Sequence, residues 1–233
     1  MKILIIDQCS SAKKSKNRNS PLTEEVIDTR SLSQLLEQGG VPSYPARELY
    51  QGRQQEFITE AVALLRNTNN SVDRVFISAG FGVVDEDDEL PLYDVAFSEM
   101  SASEIDERTE KLGINMNLRD LIAEDDYDLV FMPLGNDYYR SADLDSLLPT
   151  IPMDTNVVLF NQEEREIEHE NVISLSARTD EARDNGTIVI ALKGEYIWNF
   201  MTHLKAGTSI ENLEDIRDYC REGTERQSGM DVF

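Results

Sequence analysis

The sequence is poor in the residues that most often carry soft-metal and nucleophile chemistry: 233 residues hold two cysteines, two histidines and one tryptophan. Cys9 and Cys220 stand near opposite ends and match no paired metal-ligand spacing, so zinc is not expected. One pair in a chain of this size makes no secreted disulfide scaffold, and a reduced compartment is the expectation. His169 falls in the acidic stretch "EREIEHE" and His203 on an amphipathic helical stretch, neither of them beside Cys9 or Ser10. That argues against a Cys-His or Ser-His-Asp machine. Walker-type phosphate loops are absent, and "SAGFGVV" lacks the full dinucleotide fingerprint. No cofactor and no metal are expected.

Long apolar runs are missing too. The run Ile3 to Ile6 is too short for a signal peptide and meets Asp7 at once, and no stretch approaches the length of a membrane span. The expectation is a soluble, cytoplasmic protein without a membrane partner. Lysine is the third scarcity. There are 7 lysines and 15 arginines against 45 acidic residues, for a net charge of -23. Such a surface suits a cytoplasm full of salt, because at molar ionic strength the Debye length falls to about 3 Å and self-repulsion is screened. A halophilic protein is the expectation; the alternative is an acidic protein that avoids or mimics nucleic acid, and composition alone does not separate the two. Against this field "AKKSKNR", residues 12 to 18, gathers four basic residues in one short stretch, fitting either a solvated loop or a cation patch for a ligand.

What is present reads as α/β. "KILIIDQCS", "VDRVFISA" and "YDLVFMPLG" are short apolar runs closed by polar residues, the mark of central strands. "PLTEEVIDTRSLSQLLEQGG" reads as one helix interrupted near Thr29, and "RQQEFITEAVALLRN" as an amphipathic helix. Helical material follows in "SASEIDERTEKLGINMNLRDLIAED", and "EYIWNFMTHLKAG" and "SIENLEDIRDYCREG" are closing helices. "TNVVLF", "NVISL" and "GTIVIALK" add three strand candidates, so residues 156–191 fit either a small antiparallel extension of the sheet or a small subdomain. Alternating strands and helices argue for a mainly parallel sheet covered on both faces, in one domain over residues 1–233.

In such a sheet ligands bind beyond the carboxyl ends of the strands, where "DQCSSAKK", "SAGFG" and "PLGNDYYR" fall. Ser78, Gly80 and Gly82 fit a turn that offers outward amides to an anion or base edge, or a plain tight turn. The run "DEDDE" is assigned to solvated surface. Pro91 stiffens the chain ahead of Tyr93 and Asp94, a stacking ring and a carboxylate that it is expected to hold over the strand rim. Cys9 and Ser10 invite a nucleophile role, with Lys13 and Lys14 close enough in sequence to favour a thiolate. Trp198, with Tyr196, Phe200 and Met201, reads as core.

Taken together, "CSSAKK", "YPARELYQG", "ISAGFGVVDEDDELPLYD" and "PLGNDYYR", in this order, resemble a domain family related to the YaaA peroxide-stress proteins. The resemblance covers residues 1–148 and leaves the less regular 149–233 outside it. It implies a Rossmann-like three-layer fold similar to uracil-DNA glycosylases, and a nucleic-acid, nucleotide or nucleobase ligand. By motif, Cys9, Ser10 and Lys13 match the first segment, Ala46 and Tyr50 the second, and Ser78, Gly80, Gly82, Tyr93 and Asp94 the third, while Gly135 and Tyr138 stand in the fourth. Phe81 replaces the family's tyrosine, Leu92 is an extra residue before Tyr93, and residues 19–42 insert between the first two motifs. Asp94, Cys9 and Ser78 are the candidate catalytic groups; Ser10, Lys13, Lys14, Ala46, Tyr50, Gly80, Gly82, Tyr93, Gly135 and Tyr138 are the candidate binding groups. The functional expectation is cleavage or exchange of an N-glycosidic bond, with a non-catalytic binding module or a scaffold in a stress or defence complex as alternatives.

Overall fold

The opening run "KILIIDQ" forms β1 (Lys2–Gln8), buried on both faces in the way that parallel strands are. The structure, a computed structural model, describes residues 1–10, 13–14, 21–66, 68–165, 167 and 169–223. The interrupted helix resolves into α1 (Glu24–Asp28) and α2 (Leu32–Gln38), the second opened by a capping box in which Ser31 and Gln34 satisfy each other's backbone amides. Then come β2 (Ser43–Pro45), the single turn α3 (Ala46–Leu49), α4 (Arg53–Leu65) and β3 (Ser71–Ser78). Two short strands follow, β4 (Gly82–Asp85) and β5 (Glu89–Pro91). The Ser101–Glu104 capping box starts α5 (Ala102–Leu112), and Gly113, left-handed at φ 62, ends it and turns the chain into α6 (Ile114–Glu124). Next are β6 (Leu129–Met132), α7 (Asn136–Ala142), α8 (Leu144–Leu147), β7 (Asn156–Phe160) and β8 (Val172–Leu175). The described chain closes with α9 (Thr179–Asp184), α10 (Val189–Lys205) and α11 (Leu213–Arg221).

The main sheet has six strands in the order β4-β3-β1-β6-β7-β8, with only β4 antiparallel to its neighbour. A second, two-stranded ribbon pairs β2 with β5. Side chains alternate across the sheet. Leu4, Ile6, Val130 and Met132 pack beneath α5, α6, α7 and α8, while Ile3, Ile5, Leu129 and Phe131 pack against α4, α10 and α11. The result is the expected Rossmann-like three-layer α/β sandwich. Cys9 lies in the first core and Cys220 in the second, both unbridged. Among the described residues no helix is long and apolar enough to cross a membrane.

Two strand expectations are corrected. "GTIVIALK" is not a strand: Val189 opens α10, and it is the buried residues further along the helix, Leu192, Tyr196, Ile197 and Phe200, that pack inward and override the β-branched preference of its exposed start. β7 and β8 are parallel, so among the described residues the region 156–191 shows no antiparallel extension; the antiparallel strand pairings described are those of β4 at the opposite edge and of the β2–β5 ribbon.

From β1 the chain crosses to β3 on one side, then returns to β6 on the other. The connection through α4 covers one face and that through α5 and α6 the other. The switch point of this doubly wound sheet is therefore between the carboxyl ends of β1 and β6.

Candidate functional site

At that rim β1 runs out through Asp7, Gln8 and Cys9. The Cys9 amide donates to the Ile77 carbonyl at 3.0 Å, prolonging the pairing with β3. Tyr138, on the first turn of α7, donates its hydroxyl proton to the Cys9 carbonyl at 2.8 Å, and its oxygen lies 2.9 Å from Cys9 Sγ. With that single phenolic proton on the carbonyl, the thiol is the partner left to donate.

A second buried chain of hydroxyls stands beside it. Ser78 Oγ accepts the Gly80 and Phe81 amides at 3.2 and 3.0 Å and lies 2.8 Å from the Tyr93 hydroxyl, which is 2.8 Å from that of Tyr50. Both lone pairs of Ser78 are filled by amides, so its proton goes to Tyr93 and that of Tyr93 to Tyr50. The relay has a direction and ends on Tyr50. Burial raises the phenol pKa of Tyr50, Tyr93 and Tyr138 above the ordinary value, with Cys9 the next contributor in each case. All three stay neutral at physiological pH.

The glycines of "SAGFG" serve this packing. Ala79, Gly80 and Phe81 form the loop of the β3–β4 hairpin, closed by the Ser78–Gly82 pair, with Gly82 at φ 79. A β-carbon on Gly80 would meet the Tyr93 ring at 2.7 Å. The amides of Gly80 and Phe81 turn inward to Ser78, so the tight-turn reading is the one that fits. "DEDDE" is mainly exposed, and it folds on itself through Asp85 and Asp88 while the Asp88 carbonyl receives the buried Ala46 amide that starts α3. Pro91 ends the β2–β5 ribbon, and Leu22 grips both sides of Tyr93 through backbone bonds to Leu92 and Asp94. Tyr93 is thereby held inward over the rim, whereas Asp94 points out and is exposed.

The lysine segment arrives by a backbone bridge. Lys13 pairs with Tyr50, and the Lys14 amide donates to the Leu49 carbonyl at 2.8 Å. The Lys13 ammonium lies 4.3 Å from the centre of the Tyr93 ring. Burial lowers its pKa, and Cys9, Asp94 and Glu99 pull it back up. Lys14 pairs with Glu48 at 2.6 Å and covers the Tyr44 ring. Ser10 follows Cys9, half-buried; Lys16 and Arg18 of the basic stretch lie outside the described residues. The structure thus gathers Cys9, Lys13, Tyr50, Ser78, Tyr93 and Tyr138, and leaves Asp94 on the adjoining surface. Gly135 is at the neighbouring strand end, where its amide donates to Gln8 Oε1 at 2.6 Å.

Sequence-level reasoning missed two features. One is a buried polar cluster beneath the same rim, on the α4 side. Asp7 Oδ2 accepts from Arg74 at 2.6 Å, and Asp7 Oδ1 accepts from Gln54 and from the Gln8 amide, each at 2.8 Å. Gln54 also donates to the Pro133 carbonyl, and the Lys193 ammonium to that of Leu134. Burial pulls Lys193 down to about 8, opposed by Asp7. The signal was an acid closing an apolar strand and an arginine inside "VDRVFIS". The other is concavity. A cleft of 490 Å³ opens beside Tyr50, lined by Lys14, Arg47, Gln51, Gly52 and Gln55 among others. A larger groove of 830 Å³ includes Asn136 and Arg140 of "PLGNDYYR".

Comparison with family models and with curated proteins gives no match. Ser78 has its lone pairs occupied by amides; His203 stacks on Tyr219 at 4.8 Å, and His169 stands in the turn before β8, where its carbonyl accepts the Val172 amide. The outward groups are Lys14 and Asp94, with Lys13 between them and the buried hydroxyls.

Proposed function

We propose that this protein binds a nucleotide or nucleobase at the carboxyl rim beside β1 and β3, in the cleft bordered by Tyr50. The observation that carries the reading is the gathering of Cys9, Lys13, Tyr50, Ser78, Tyr93 and Tyr138, drawn from four separate stretches of the chain, at one end of the sheet. Lys14 and Arg47 stand on the cleft wall with Glu48, Glu56 and Glu60, and a phosphate would take the two cations from their carboxylate partners Glu48 and Asp87, while Gln51 and Gln55 carry the paired donor and acceptor that a base edge requires. Tyr50 borders this cleft while its hydroxyl turns inward to that of Tyr93.

A second reading, cleavage or exchange of an N-glycosidic bond, is favoured by one observation. Asp94 is exposed and interacts electrostatically with Lys13, where a carboxylate would steady positive charge developing on a sugar.

Equilibrium dialysis of a nucleoside and its monophosphate across a salt series, with a parallel assay for free base, tests both. Binding through phosphate predicts that the nucleotide binds more tightly, that affinity falls as salt rises, and that Lys14→Met weakens it about tenfold, or about 1.4 kcal/mol. Base release that disappears in Asp94→Ala while binding persists supports the second reading. No nucleotide binding at any salt concentration overturns the first.

A further inference from the structure

Lys193 stands on the inward side of α10: Tyr196 and Ile197, three and four residues further on, are buried core residues. The next residue, Gly194, sets how close this part of the helix comes to the sheet. A β-carbon there would meet the Gln54 carbonyl oxygen at 2.6 Å and the Phe57 β-carbon at 2.9 Å, so α10 crosses α4 at a distance that a side chain would forbid. The close crossing brings the Lys193 amine to the Leu134 carbonyl, one residue before the Gly135 amide that Gln8 holds. The amine is therefore at the carboxyl ends of β1 and β6, half-buried, on the α4 side of the switch point. Its surroundings differ from those of Lys2, Lys14 and Lys111, which pair with carboxylates. Lys193 donates to a neutral carbonyl, and Asp7, the acid that acts on it through space, is already committed to Arg74, Gln54 and the Gln8 amide. An amine desolvated beside an acid that an arginine has neutralised gains little from carrying charge, and this is the setting in which a lysine becomes a nucleophile.

We propose that Lys193 is a covalent site for a small, uncharged aldehyde, which it binds as an imine. The nitrogen lone pair adds to the carbonyl carbon and the carbonyl oxygen takes up a proton; the carbinolamine then loses water, and a C=N bond replaces C=O. No oxidant or reductant is consumed. The limit on size follows from an amine that is half-buried. The preference for an uncharged aldehyde follows from Asp7 and from the net charge of -23, which repel an anionic one. Burial that lowers the Lys193 pKa to about 8 supports the step: at about pH 7.5 roughly a quarter of such amines are neutral, against about one in a thousand for a lysine at 10.5. The weaker basicity of the amine takes back part of that advantage. The inference does not rest on any ligand in the cleft beside Tyr50.

The test treats the full chain with propionaldehyde and sodium cyanoborohydride and locates the propylated lysines by peptide mass spectrometry. Cyanoborohydride reduces the imine and spares the aldehyde, so each propyl group records a C=N bond that had formed. Lys111 and Lys205, both exposed, are references within the same molecule. At about pH 7.5 Lys193 should react at least about tenfold faster than either reference. Its rate should level off above about pH 8, while theirs keep climbing toward 10.5. Concentrated urea should abolish the preference, because the unfolded chain gives every lysine the same surroundings. Lys193→Met should lose the fast product and leave the reference rates unchanged. A Lys193 that reacts no faster than Lys111 and Lys205 in the folded protein overturns the proposal, and so does a preference that survives unfolding.

Discussion

Replacing Arg74 by methionine tests the polar cluster under the rim most directly. Arg74 and Asp7 are both fully buried, 2.6 Å apart, and Arg74 also donates to Thr59 and lies over the Phe76 ring. At an effective dielectric constant of about 20, two unit charges at that 2.6 Å separation attract by about 6 kcal/mol. Desolvation of each ion offsets several kcal/mol of this, so the pair is worth little net beside an apolar pair of the same shape. Removing one partner is different, because Asp7 remains buried with only Gln54 and the Gln8 amide to hold its charge. The expected loss is about 3–5 kcal/mol, and Lys193, which already feels Asp7, draws it toward the lower figure. With a urea slope of about 3 kcal/mol/M, the unfolding midpoint falls by about 1–1.7 M. The double variant Asp7→Leu/Arg74→Met should regain most of that loss, giving a large coupling energy in the double-mutant cycle. A single variant that loses under about 1 kcal/mol, or a double variant no more stable than the single, would refute the claim that the two charges exist for each other.

Two further outcomes concern the rim and the pH. Tyr93→Phe cuts the relay in the middle and leaves the Ser78 proton and the Tyr50 hydroxyl unmatched in a buried place, which should destabilise the protein by about 1–3 kcal/mol in urea titration; a neutral result would mean that water or another group takes over. Lys193 gives stability a pH dependence of definite sign. Between about 8 and 10.5 the unfolded chain keeps a lysine proton that the folded chain has released, so stability should rise with pH from about 8 until the tyrosines begin to titrate near 10.0. Above 10.0 the buried Tyr50 and Tyr93 reverse the slope, because the folded chain then holds protons that the unfolded chain gives up. Lys193→Met should flatten the rise and leave the fall, and midpoints measured across pH show whether it does.

β1, β6 and β7 were legible because each is an apolar run buried on both sides, and the break at Thr29 because Ser31 opens a new capping box. β4 and β5 were hidden. At four and three residues they are too short to show alternation, and the turn residues around them dominate the pattern. The start of α10 misled for the opposite reason: "TIVI" has strand composition, yet Val189 and Ile190 form the exposed first turn of a helix whose later residues, from Ala191 and Leu192 on, pack inward. At the site, the motifs did mark residues that meet, but motif membership says nothing about direction. Tyr93 and Asp94 are neighbours in extended chain, where successive side chains face opposite ways, so one entered the relay and the other the solvent. The Asp7–Arg74 pair was illegible because an arginine at a strand position looks the same in sequence whether it faces water or a buried acid.

The Gln8 carboxamide spans from β1 to the Gly135 amide at 2.6 Å, across the place where doubly wound sheets usually receive a guest. The protein has, in effect, seated a resident there. Any molecule seeking the same berth must offer that amide a better acceptor than a side chain already tethered next door, while one that lodges by Tyr50 must instead draw Lys14 and Arg47 from their carboxylate partners. Selectivity at this rim would then be decided by eviction on both sides, of a carboxamide on one and of two carboxylates on the other.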